Sequence, residues 1–342
     1  METLPQTDLD LQPVDDESAY VLLAQGATLL TVNNRLSTSL HETYARRQDA
    51  GAWETPDILP LSGWLSRQYD ALVTRGIATA QLLQPTQESL LWELVVDDWN
   101  AARSRDELLL RPLAAAASAQ EAWRLMHDWR VEDDALEAST IPETRQFLQW
   151  RERIRSLCAE RDWITRSELI ARVASAIGQG ALALPQTCLL AGFDELTRAQ
   201  QHLLQALLQQ GSDVRMLAAG PHRGEAGRLL CTGSAQEIEQ AAWWARRKLE
   251  AGNVSRIGIV VPQLHELRAS IEEVFDSLLH PESLNADMAD RKRIFNITLG
   301  TPLRDEPMVQ DALLLLRLIA RGLSFEEAGR LLRSNHVGGY CG

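Results

Sequence analysis

The sequence predicts an α/β protein built on parallel sheets, in two domains, with the first domain interrupted by an all-helical insertion. Three observations carry this. Short apolar runs such as ATLLTV (27–32) and CLLA (188–191) are each followed by a helical pattern, as in strand–helix repeats of a parallel sheet. The block 85–180 instead repeats apolar residues at three and four, as in Leu90, Leu91, Leu94, Val95 and Trp99. A second strand–helix texture, around IGIVV (257–261), then follows.

In chain order, residues 1–20 are acidic and without periodicity, and are expected to form a loosely attached tail. ATLLTV is a strand; Asn33, Asn34 and Arg35 make a tight turn, and a helix runs to about Arg47. DILPL (57–61) is a second strand, with Ser62 expected to cap the helix carrying Trp64, Leu65 and Tyr69. These elements, residues 21–84, form the first α/β domain together with 181–222, where Thr187–Gly192 and Asp213–Ala218 read as strands around a helix from Thr197 to Gln210. The insertion, 85–180, carries six of the ten tryptophans, which interleaved with arginine suit either base stacking or core packing; at helical spacing they read as core. Residues 223–342 open a second α/β domain, incomplete in this chain: a strand at 228–232, a helix over 234–251, a buried strand at 257–261 and a helix to about Leu279.

Composition excludes several classes. No apolar run approaches the roughly 18 residues of a membrane span, and no basic-then-apolar leader opens the chain, so no membrane is expected. Four cysteines (Cys158, Cys188, Cys231, Cys341) stand far apart without a C-x-x-C pair, which argues against zinc and against disulfides and suits the cytoplasm. The net charge of −13 argues against a surface coated for nucleic acid. The charge is uneven, however: residues 81–140 hold 5 basic and 12 acidic side chains, whereas 141–172 hold 7 arginines against 5 acids.

Candidate chemistry is correspondingly sparse. A phosphate-binding loop needs G-x-x-x-x-G-K-[ST], and the two lysines, Lys248 and Lys292, sit in ARRKLE and ADRKRI. No nucleotide or other cofactor is therefore expected. In an ATPase the magnesium-organising acid directly follows a buried strand. Here that place holds Ala191 and Gly192. Asp194 and Glu195 come after a turn, ahead of a helix that Thr197 and Gln200 cap reciprocally, so the region reads as a degenerate version of the acid-bearing strand end. Asp290-Arg291-Lys292 matches the end of a metal-dependent nuclease motif, but in a polar context without a strand or a partner acid. No catalytic or metal-binding residues are assigned.

Ordered segments nonetheless carry a resemblance. TLLTVNNRLSTSLHETYARR, PDILPLSGWLSRQYD and LLAGFDELTRAQQHLLQAL resemble the N-terminal half of AddB-like and RecB-like DNA repair proteins. So do SAQEIEQAAWWARRKLEAG, IGIVVPQLHELRASIEEVF and LLRSNHVGGY of the second half. The resemblance, over about residues 21–340, implies two RecA-like domains of a degenerate superfamily 1 (UvrD-type) helicase, the second incomplete. It further implies a C-terminal PD-(D/E)xK nuclease domain beyond this chain, and hence a fragment of a longer exonuclease. By that likeness the chain is expected to be a non-catalytic DNA-binding scaffold in repair and recombination that guides single-stranded or duplex-end DNA to the nuclease. The alternative is a module that docks a helicase or nuclease partner subunit without touching DNA. Asn33, Asn34, Arg35, Ser62 and Trp64 are the positions the resemblance turns toward DNA; the same residues also serve as turn and cap.

Overall fold

A computed structural model describes residues 9–337 apart from 49–50, 105–107, 138, 140, 219–225, 253, 255, 282–292 and 301. The chain divides into two compact units, Met1–Arg223 and Gly224–Gly342.

The first unit opens with β1 (Gln12–Val14) and α1 (Asp16–Ala24), then β2 (Thr28–Thr31), α2 (Asn34–Arg46), β3 (Asp57–Pro60) and α3 (Leu61–Thr74). The segment expected as a loose tail therefore contributes a strand and the start of a helix. Val14 is buried, and β1 pairs in parallel with the last strand of the sheet, an anchor that composition alone does not reveal. The chain continues through β4 (Gln81–Leu82), α4 (Pro85–Ala101), α5 (Pro112–Trp129), the five-residue α6 (Asp133–Glu137), α7 (Pro142–Arg161), β5 (Trp163–Ile164) and α8 (Arg166–Gly178). It closes with β6 (Thr187–Ala191), α9 (Arg198–Gln209) and β7 (Asp213–Leu217).

The five-stranded sheet is parallel throughout, in the order β1-β7-β6-β2-β3. Side chains alternate across it, as the pleat requires. Leu30, Cys188 and Leu190 face α3, α8 and α9 through Trp64, Val173, Ile177, Leu203 and Leu207. Leu29, Leu189 and Ala191 face α1 and α2 through Leu23 and Tyr44. Both faces are covered, which explains why these strands are near-continuous apolar runs. Burial pushes the Cys188 thiol up to about 12 and the Cys158 thiol up to about 11, so both are packing residues.

The helical insertion has its own core. Trp92, Trp123 and Trp150 are buried, with Phe147 stacked on Trp92 at 6.3 Å and Trp99 edge-on to Trp150 at 5.6 Å. The chain leaves for the insertion at β4 and returns at β5, and these two short strands pair in parallel. α8, expected inside the insertion, instead packs on the large sheet. Two-residue strands are too short to mark this boundary in a sequence.

The second unit is described as helices: α10 (Ser234–Glu250), α11 (Leu264–Leu279), α12 (Pro307–Arg321) and α13 (Phe325–Leu332). α10 and α11 pack through Ile238, Ala242, Ile271 and Phe275, with Phe295 edge-on to Phe275 at 5.5 Å. The strands expected at 228–232 and 257–261 are irregular chain: Leu230 is 79% and Val260 92% exposed. An apolar β-rich run becomes a strand only with a neighbour to complete its hydrogen bonds, and among the described residues neither segment has one.

Candidate functional site

In an open parallel sheet, ligands collect at the carboxyl ends of the strands, where the order of strands reverses. Here the chain passes from β2 outward to β3 and from β6 outward to β7 in the opposite direction, so the reversal falls between β2 and β6. Their registers place Thr31 beside Ala191, and Pro60 beside Thr31 on the other flank. The turn Val32–Asn34, the turn Gly192–Glu195 and the start of α3 thus share one rim.

Asn33 ends the strand and caps α2: its Oδ1 accepts from the Leu36 amide at 2.9 Å, while its carbonyl accepts from Thr31 Oγ1 at 2.9 Å. Its polar side chain is committed to the fold. Asn34 and Arg35 are exposed on the first turn of α2, where they line a shallow depression with Thr38, Ser39 and Glu42. Arg35 forms no ion pair among the described residues. Asp57 is taken instead by Arg67, at 2.7 and 2.8 Å, and by Thr28 Oγ1 at 2.7 Å, at the opposite, amino end of the strands. Arg67 and Thr28 hold the Asp57 carboxyl below its usual range, Arg67 through the larger effect.

Two of the expected contacts are corrected. Trp64 has 0% exposure, in the core between α3, α8 and α9, and cannot stack on a base. Ser62 is exposed but does not cap α3; the helix begins at Leu61 with Pro60 in the cap position, and the Ser62 carbonyl accepts from Ser66 Oγ at 3.0 Å. Trp64 shares the buried face of α3 with Leu65, Tyr69 and Leu72 through their helical spacing.

The crevice between β2 and β6 is occupied by the chain itself. Gly192 follows β6 with φ +79°, and a Cβ there would lie 2.7 Å from Leu36 Cδ2 and 3.1 Å from Val32 Cγ1. Only glycine fits this turn, because it supplies both the left-handed backbone and the missing Cβ. Ala191 is buried at the strand end, and Asp194 and Glu195 are exposed beyond the turn. The capping box of Thr197 and Gln200 forms as the spacing predicts, at 2.9 and 3.3 Å.

The turn after β1 is acidic. Asp15 caps α1 by accepting from the Ser18 amide at 2.9 Å and from Ser18 Oγ at 3.0 Å, with Asp16 and Glu17 in the first helical turn. A helix N-terminus of this kind holds phosphate in nucleotide-binding proteins; here a carboxylate holds the amide and lies lowered from its ordinary pKa by the Ser18 amide. The turns after β1 and β6 carry Asp15, Asp16, Glu17, Asp194 and Glu195, of which Glu17 is paired with Arg47 at 2.8 Å.

Among the described residues no group of three or more His, Cys, Asp and Glu side chains is arranged to hold a metal ion. No helix there is long and apolar enough to cross a membrane. Asp290 and Lys292 lie outside the described residues. No protein-family model matches the sequence, and no curated protein matches it significantly. The fold and the rim define a parallel α/β protein whose strand-reversal crevice is filled by its own side chains.

Proposed function

We propose that the chain is a non-catalytic scaffold of helicase-like build, which docks a partner subunit in a DNA repair complex. The observation that supports it is the rim. Val32 and Leu36 sit over Gly192 where a ligand would enter, a carboxylate caps the helix after β1, and the surrounding turns are acidic. Phosphate brought to such a rim meets like charge and few free amides. A docking role also suits the second unit, where Met308, Leu316, Ile319, Phe325 and Leu332 of α12 and α13 are each more than 60% exposed. Exposed apolar side chains in this number suit a protein–protein surface.

The second reading is direct guidance of DNA, favoured by the exposed Asn34 and Arg35 at the depression on α2. Anisotropy of a labelled single-stranded oligonucleotide, titrated with protein over a range of salt, separates the two. The docking reading expects no saturable binding at low salt. Micromolar binding whose logarithm falls linearly with that of the salt concentration, and whose slope is shallower in Arg35→Ala, would replace it with the DNA reading.

A further inference from the structure

Away from the rim, the first unit holds a cavity of about 440 Å³ where the C-terminus of α5 meets α6, α7, α8 and α9. That volume lies in the range of small-molecule sites. Its apolar wall is Met126 and Val131, with the buried edge of Trp123 behind them. The indole is fixed by a hydrogen bond from Nε1 to Thr165 Oγ1 at 3.1 Å, and the His127 ring stands edge-on to it at 4.4 Å. The polar wall is basic: Arg130, Arg155, His127 and His202.

Two features single out Arg130. It closes α5 in the left-handed conformation, φ 50°, a position that most often takes glycine because a Cβ is strained there. An arginine kept at such a place is a reason to look for work done by its side chain. Its guanidinium also makes no ion pair among the described residues. The one acid lining the cavity, Asp133, is neutralised by Arg151 at 2.6 Å and Arg155 at 3.0 Å. In a chain of net charge −13, this cavity carries uncompensated positive charge beside an apolar wall.

We propose that this cavity binds a small organic anion, a carboxylate, sulfonate or phosphate monoester on a flat or compact apolar body, with Arg130 as its principal charge partner. The apolar body would lie along Met126 and Val131, and the anionic head against Arg130 and Arg155. The site is separate from the rim and does not depend on the function proposed above. Burial lowers both His127 and His202 from the ordinary histidine range, so both are neutral at pH 7. Around His127, Glu168, Asp128 and Asp133 favour its protonation and Arg155 opposes it; Arg130 opposes that of His202.

Benzenesulfonate is a suitable probe, because its charge is fixed, and calorimetric titration reads its binding directly. The expected result is saturable binding that is about tenfold weaker in Arg130→Gly, the scale of one charged hydrogen bond. Glycine suits the left-handed backbone, so this variant should keep or raise Tm; Arg130→Asn, also tolerated there, serves as a second variant. Absence of binding to the wild type at millimolar probe would overturn the proposal. So would equal affinity in both folded variants.

Discussion

Replacing Gly192 by alanine tests the packing of the strand-reversal crevice. The substitution forces a Cβ onto a residue with φ +79°, which costs about 1–2 kcal/mol for the left-handed backbone alone. The new methyl would also lie 2.7 Å from Leu36 Cδ2 and 3.1 Å from Val32 Cγ1. Leu36 can swing aside, but Val32 is stiff at χ1, so overpacking adds about 1–3 kcal/mol. Stiffening of the unfolded chain returns about 0.5–1 kcal/mol, leaving a net loss of about 1–4.5 kcal/mol. Gly76 provides the control: it has φ +69° with nothing within 4 Å of its would-be Cβ, so Gly76→Ala should cost only about 1 kcal/mol. Denaturant unfolding followed by tryptophan fluorescence gives both values. Adding Leu36→Ala to Gly192→Ala should recover part of the loss, a coupling that a double-mutant cycle measures. Equal costs for the two glycines, with no coupling to Leu36, would show that the crevice is open and would refute the packing argument.

Trp64→Ala should destabilise the first unit by about 3–5 kcal/mol, because it empties a fully buried site; a loss under about 1 kcal/mol would place the ring outside the core. Asp57→Asn removes the paired bonds from Arg67 and should cost about 1 kcal/mol at pH 7, given the partial exposure of both side chains. The Asp57 carboxyl is lowered in the fold, so its contribution is present above about pH 4 and is lost as pH falls through the folded value. The gap in Tm between wild type and variant should therefore close in acid, and a gap constant from pH 7 to pH 3 would contradict the assignment. Ile319→Glu combined with Phe325→Glu should reduce dye binding at exposed apolar surface, while changing stability by less than about 0.5 kcal/mol; a large loss would mean that these side chains are core.

Four strands of the large sheet were legible as apolar runs bounded by polar turns, because strands covered on both faces leave that pattern. β1 was not: it has three residues and one buried side chain, and only pairing with β7 makes it a strand. The run 257–261 failed in the opposite direction, since its composition suits a strand but no neighbour among the described residues completes its hydrogen bonds. At the rim, the spacing was enough to find the box at Thr197–Gln200, a local device, whereas Asn33, read as part of a tight turn, proves to cap α2. The burial of Trp64 follows from its place on the same helix face as Leu65, Tyr69 and Leu72. The crowding at Gly192 depends on Leu36 and Val32, which approach it only through the parallel register of β2 and β6. The basic cavity gathers residues from five helices, and no local motif announces it.

Calorimetric titration with ATP and magnesium tests the central claim most directly, because the crevice and the turn after β1 are where a helicase-like sheet would hold phosphate. The scaffold account predicts no saturable heat at any ATP concentration up to the millimolar range. Micromolar, magnesium-dependent binding that is lost in Asp194→Ala would contradict it.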